Sequence, residues 1–363
     1  MLCLTVFGLM GSARANPVFN LAFTGGTSPT EQAAFATAAN YWASAFDDNV
    51  AINLTVGTAA LSSGVLAQAA SVRSTFSYSS FRSKMLADIS SATDTAAVAH
   101  LPNTTGVSMY LNYTSNSPNG AGSATPYVDA DGDANNTTVR ITNANAKALG
   151  LTPINSTLLG LCDAFCDGYI QFSTGYSWDL DRSNGISAGA FDFVGLAIHE
   201  IGHALGFLSG VDYLDTNSSE SPYKADNLLT YVSPLDMFRC SAASASAGTT
   251  LDFTAGSGVR NFSLDNCASS LGRFAEGAVH GDGRQASHWK DSLALGIMDP
   301  TAAPGELLAV TPLDLIAFDA IGWNLESLEV PEPGTLTFGA AWMLGLLAMR
   351  RRSRANGQVR DRA

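Results

Sequence analysis

The chain has 363 residues, 46% of them hydrophobic, which is ample for a packed core and excludes a disordered or fibrous protein. Charged residues make up 14%, and 32 acidic against 19 basic groups leave a net charge of -13, a balance that disfavours nucleic acid and anionic membrane surfaces as partners. No fixed-period repeat or low-complexity tract runs through the chain, so a globular enzyme or a binding module remains.

In chain order, the apolar run over residues 2 to 10 and the following Ala13-Arg14-Ala15 predict a signal peptide over 1–15, with a buried N-terminal strand as the other reading. Cleavage there removes Cys3 and leaves Cys162, Cys166, Cys240 and Cys267, an even set suited to an oxidising compartment. Two disulfides are expected. Cys162 with Cys166 and Cys240 with Cys267 is the most local pairing, and a structural zinc site built from all four is the alternative.

Ser28, Pro29 and Glu31 form a capping box with proline in the first turn, and Phe35, Ala38, Trp42 and Phe46 continue at helical spacing, so a helix is predicted over 28–46. Val50, Ile52, Leu54 and Val56 alternate as a half-buried strand does. A further helix is expected over about 64 to 88. Strands are expected at Val107, Met109 and Leu111, at Val139 and Ile141, and from Tyr169 to Ser173. Residues 192 to 206 are strongly helical, 210 to 310 are irregular, and Thr311-Pro312 opens a closing helix through Leu313, Ile316, Ala317 and Ile321. The class read from this order is α+β: a mixed twisted sheet backed by helices, then an irregular C-terminal part ending in a helix.

Within the strongly helical stretch, residues 199 to 207 read His-Glu-Ile-Gly-His-Ala-Leu-Gly-Phe. Positions four apart share a helix face, so His199 and His203 can present imidazoles to one metal ion, with zinc the natural occupant. Glu200, roughly 100° around the helix, can reach a water at the metal without ligating it and act as general base. Val194, Ile198, Ile201 and Leu205 give the helix a core side apart from its metal side, and Asp192 can cap its start. A catalytic zinc needs a third protein ligand. Of the five histidines, His280 and His288 are the realistic candidates, with Asp212 and Glu220 as carboxylate alternatives; His100 is read as a surface or structural residue.

Two weaker signals are acidic. Asp129, Asp131 and Asp133 invite a calcium reading, but Arg140 stands where an EF-hand loop needs glutamate, which favours a solvated turn. Asp179 and Asp181 form a second, equally weak candidate.

At the far end, Val330-Pro331-Glu332-Pro333, the apolar residues 336 to 349 and the arginines 350, 351, 352 and 354 follow in order. The apolar run is short for a bilayer span. This triad resembles the PEP-CTERM sorting signal of Gram-negative bacteria, and the resemblance implies processing by an exosortase-type enzyme and delivery to the cell surface or matrix. An ordinary C-terminal anchor or a terminal core helix is the competing reading.

The segment His199 to Phe207 resembles the metzincin clan of zinc proteases, except that the position of its usual third ligand holds Ser209. Residues 287 to 300, Ser-His-Trp-Lys-Asp-Ser-Leu-Ala-Leu-Gly-Ile-Met-Asp-Pro, are similar to the leishmanolysin-type branch, where a long insertion precedes the third histidine and a Met-turn. The resemblance implies His288 as third ligand and Met298 as the hydrophobic base of the site. It also implies a metzincin-like fold and an exported, zinc-dependent endopeptidase acting on protein or peptide, with Glu200 as base. The corresponding division is signal 1–15, catalytic part 16–209, C-terminal part 210–327, and linker with sorting and transmembrane tail 328–363. The alternative function is a surface or matrix-binding protein that keeps the fold with little turnover; an intact base beside the metal favours the enzyme.

Overall fold

Ser28 accepts the backbone N–H of Glu31 while the Glu31 carboxylate accepts that of Ser28 at 2.7 Å, and this reciprocal cap starts helix α1 (Pro29–Ala45). The computed structural model describes residues 15–219 and 221–326, so the signal segment before Ala15, Glu220 and the sorting tail lie outside the described residues. Among the described residues, no helix is long and apolar enough to cross a membrane.

The architecture is α+β. Strands β1 (Val18–Phe23) and β2 (Ala51–Ala59) are parallel; β3 (Ala67–Ser71), β4 (Arg73–Ser77) and helices α2 (Tyr78–Asp88) and α3 (Ala92–His100) follow. Then come β5 (Met109–Leu111), β6 (Tyr127–Asp129), α4 (Ala134–Thr137), β7 (Thr138–Thr142), α5 (Asn143–Ala148) and β8 (Gly168–Ser173). The main sheet has the order β1-β2-β8-β3: β2 and β8 run parallel, and β3 lies antiparallel to β8 at the edge. Smaller sheets pair β4 with β7, and β5 with β6 and Leu251–Asp252.

The helix expected over 64 to 88 exists only in its second half, as α2. The small side chains of Ala67, Ala69 and Ala70 suit a helix by intrinsic propensity, yet the segment is a strand because β8 offers it a full antiparallel ladder. Ser77 then accepts the Ser80 N–H and starts α2. The strands expected near Met109, Val139 and Tyr169 form as β5, β7 and β8.

Helix α6 (Phe193–Leu205) carries the HExxH motif and lies in the core. Asp192 caps it by accepting the Gly195 N–H at 2.8 Å, and its other oxygen pairs with Arg182 at 3.2 Å. Helix α1 packs on it: Phe35 meets Phe193 edge-on at 4.9 Å, and the Trp42 indole N–H donates to the Ile198 carbonyl at 2.9 Å. Every residue of α6 is buried, yet the two sides differ as expected: Val194, Ile198, Ile201 and Leu205 join the hydrophobic core, whereas His199, Glu200 and His203 line a cleft. The later segment supplies part of the wall of that cleft, including His288.

That later segment is mostly irregular. Helix α7 (Val211–Asn217) follows α6, and Arg239–Cys240, Arg260–Phe262 and Gly272–Phe274 make a small antiparallel sheet. Disulfides join Cys162 to Cys166 and Cys240 to Cys267. The closing helix Pro312–Ala320 is capped by Thr311, and the Trp323 indole N–H donates to the Leu205 carbonyl at 2.8 Å, tying the end of the fold to α6. One hydrophobic cluster runs from Ala34 to Trp323.

Candidate metal centre

The one-turn spacing in α6 sets His199 and His203 side by side, and their Nε2 atoms lie 3.1 Å apart. His288, on the irregular segment, brings its own Nε2 to 3.2 Å from that of His203. The second nitrogen of each ring fixes the tautomer. Nδ1 of His199 lies 2.7 Å from the Ile297 carbonyl oxygen, Nδ1 of His203 lies 2.7 Å from that of Phe207, and Nδ1 of His288 lies 3.3 Å from that of Gln285. A carbonyl can only accept, so Nδ1 holds the proton and the three Nε2 lone pairs converge. Burial depresses the basicity of all three, to about 4 for His199 and about 3 for His203, and well below the ordinary range for His288. Three neutral donors facing one another with no proton between them can hold a metal ion.

Glu200 points from the same helix into the same cleft and is 6% exposed. Desolvation alone raises its carboxyl from 4.5 to about 8. A carboxyl in the same cleft as the three imidazoles is placed to accept and return a proton.

Among the described residues, none of the other candidate ligands joins this cluster. The Ser209 hydroxyl donates to Asp236, and His280 stacks on Tyr113 at 4.4 Å while its backbone N–H donates to Asp215. His100 bonds the Met237 carbonyl at 2.9 Å, a structural role. Asp212 accepts the backbone N–H groups of Ala286 and Ser287 and the Ser287 hydroxyl, so it holds the loop that delivers His288.

Met298 lies beneath α6, fully buried; a Cβ on Gly202 would stand 2.7 Å from its sulfur. Gly202 therefore lets Met298 approach the helix between the two histidines. Asp314 of the closing helix accepts the N–H groups of Ile297 and Met298 at 2.9 and 3.3 Å, fixing this turn. Sequence reading offered Asp212 only as an alternative ligand, not as the anchor of this loop, and it missed Asp314. Asp314 sits at the third helical position after Thr311, where a carboxylate passes for an ordinary cap.

The acidic turn divides. Asp129 and Asp131 come within 4.8 Å of Asp226, whereas Asp133 caps α4. Asp129 accepts from Asn135, Asp131 accepts the backbone N–H of Asp133, and Asp226 accepts from Asn116 and Tyr127, so hydrogen bonds already serve all three carboxylates. Asp179 and Asp181 accept local backbone N–H groups in turns.

The histidines and Glu200 line a cleft of about 1380 Å³. Its wall includes edge strand β3 and the loops around Arg284 and Pro300. In comparison with known proteins, no family model matches the chain, and neither does any curated protein or solved structure.

Proposed function

We propose that this chain is an exported, zinc-dependent endopeptidase of metzincin type, with the leishmanolysin-like arrangement of third ligand and Met-turn. The observation that carries the reading is the convergence of three buried, neutral Nε2 atoms beside a buried carboxyl on the same helix. Nitrogens 2.0–2.1 Å from one tetrahedral zinc stand about 3.3 Å from each other, close to the observed 3.1 and 3.2 Å. The donor set therefore fits zinc, held by His199, His203 and His288. A bound zinc ion supplies Lewis acidity, polarising a carbonyl and acidifying water.

The chain's own residues do the rest. Glu200 takes the proton from the attacking water and hands it to the leaving amine. Pure metal binding has no use for a carboxyl beside the ligands in the same cleft, which favours the enzyme over a binding protein. Strand β3 offers its unpaired edge along the cleft, where an extended peptide can pair as one more strand. Met298 packs under the ligand helix and excludes water from its underside.

Export rests on the sequence of residues 1–15, and the two disulfides support it. Surface delivery in a Gram-negative bacterium through an exosortase-type enzyme rests on residues 330 to 354. The test of the activity is cleavage of a peptide library by the zinc-loaded protein, with and without chelator, beside Glu200→Ala. Wild type should cut, chelator should stop it, and Glu200→Ala should keep its metal while losing turnover; undiminished turnover in that variant sinks the mechanism.

A further inference from the structure

Arg73 follows β3 by two positions and lines the cleft that holds the three histidines. Its guanidinium lies 5.6 Å from the centre of the Tyr231 ring, and the Arg140 guanidinium lies 4.4 Å from the same centre. Tyr231 is stacked on Tyr213, another cleft residue, at 3.8 Å, and Lys224 sits 5.7 Å over the Tyr213 ring. Three cations thus gather on one pair of tyrosines in a chain whose net charge is -13.

Neighbouring carboxylates do not neutralise them. Among the described residues, Arg73, Arg140 and Lys224 form no ion pair, although Arg182, Arg260, Arg273, Arg284, Lys147 and Lys290 all do. The buried Nε of Arg140 has no hydrogen-bond partner. Asp212 favours the charge on Arg73, but its oxygens are committed to Ala286 and Ser287. Desolvation and then Arg140 lower the basicity of Arg73, the mark of a cation short of counter-charge. A half-buried arginine on an aromatic face keeps its N–H edge free for a carboxylate.

We propose that Arg73, backed by the Tyr213–Tyr231 pair, is the point in the cleft that recognises a carboxylate of the substrate, from an acidic side chain or from a chain terminus. This deepens the peptidase reading and rests on it. An arginine–carboxylate pair that forms only with acidic substrates discriminates against the neutral amide of the same shape, because the amide leaves the guanidinium desolvated and unpaired.

The test uses the full zinc-loaded protein and matched fluorogenic peptides that differ by Glu or Gln at one position, with amidated ends, beside Gln peptides with a free C-terminus. Wild type should prefer one carboxylate form by about tenfold or more in kcat/KM, mainly through KM, and the favoured arm names the source. Arg73→Gln should collapse that ratio, and Arg73→Lys should retain part of it. Affinity of the same peptides for Glu200→Gln, with and without Arg73→Gln, reads recognition without turnover. If no peptide is cut but the carboxylate preference in binding persists and depends on Arg73, the peptidase reading fails and the recognition site stands. Equal affinity for Glu, Gln and free-terminus peptides, or a preference that survives Arg73→Gln, overturns the inference.

Discussion

Asp314 accepts the indole N–H of Trp289 at 2.8 Å, so a carboxylate on the closing helix holds the residue next to His288. The same side chain accepts the N–H groups of Ile297, Met298 and Thr311, and the Trp289 N–H donates to the Met298 carbonyl at 2.9 Å. The third imidazole and the turn beneath α6 are therefore one hydrogen-bonded unit, clamped from a helix with no ligand of its own.

Replacing Asp314 with Ala should weaken both stability and metal binding. The variant leaves several buried donors unpaired, at a cost of about 3 kcal/mol or more. Loss of an outer support of this kind lowers metal affinity by roughly 10–100-fold. Urea unfolding of the metal-free protein and metal competition against a chromophoric chelator read the two effects. A loss of stability with unchanged affinity would confine Asp314 to folding.

His288→Ala and His280→Ala separate the two candidate imidazoles. His288 contributes one of the three converging Nε2 atoms, while His280 is stacked on Tyr113 and tied through its backbone to Asp215. After a folding check by circular dichroism, metal content should fall in the first variant and stay near stoichiometric in the second. Metal loss confined to His280→Ala reverses the assignment.

Glu200 makes the metal-free protein pH-sensitive in a defined direction. Its folded value of about 8 exceeds the ordinary 4.5, so the stability linked to it is complete below 4.5 and is lost as pH rises through about 8. Glu200→Gln removes that loss. The variant should gain on wild type between pH 5 and 8 by a few kcal/mol, on the order expected for a shift of this size. Asp48 and Asp212 also titrate high, but they are common to both proteins and cancel in the difference. Urea midpoints at the two pH values decide it, and parallel curves would mean that the carboxyl titrates normally.

Gly202 and Met298 should be coupled. Ala at 202 gains up to about 1 kcal/mol of helix propensity but drives its Cβ into the buried Met298 sulfur. Gly202→Ala should therefore destabilise the native protein, Met298→Ala should cost about 2–5 kcal/mol, and the double variant should lose less than the sum by about 1 kcal/mol. Strict additivity in the unfolding data would mean that the close approach does not constrain the helix.

What the sequence determined by itself was local. The α1 capping box, the Asp192 cap of α6, the Thr311 cap of the closing helix and the one-turn spacing of His199 and His203 rest on contacts within a few residues, and each is present. Local preference failed where a distant partner outweighed it: residues 67 to 71 look helical by composition but become a strand because β8 supplies the ladder. The partners of α6 were equally invisible, since its burial on every side depends on segments near 42, 298 and 323 in the chain. The resemblance named His288 as third ligand, but spacing alone left it level with His280, and the tertiary structure set His288 beside His203, set His280 against Tyr113, and assigned Asp212 and Asp314 to the loops around them. Those placements span gaps of up to 167 residues between Tyr113 and His280, and no periodicity encodes a contact between segments that meet only after the chain has folded.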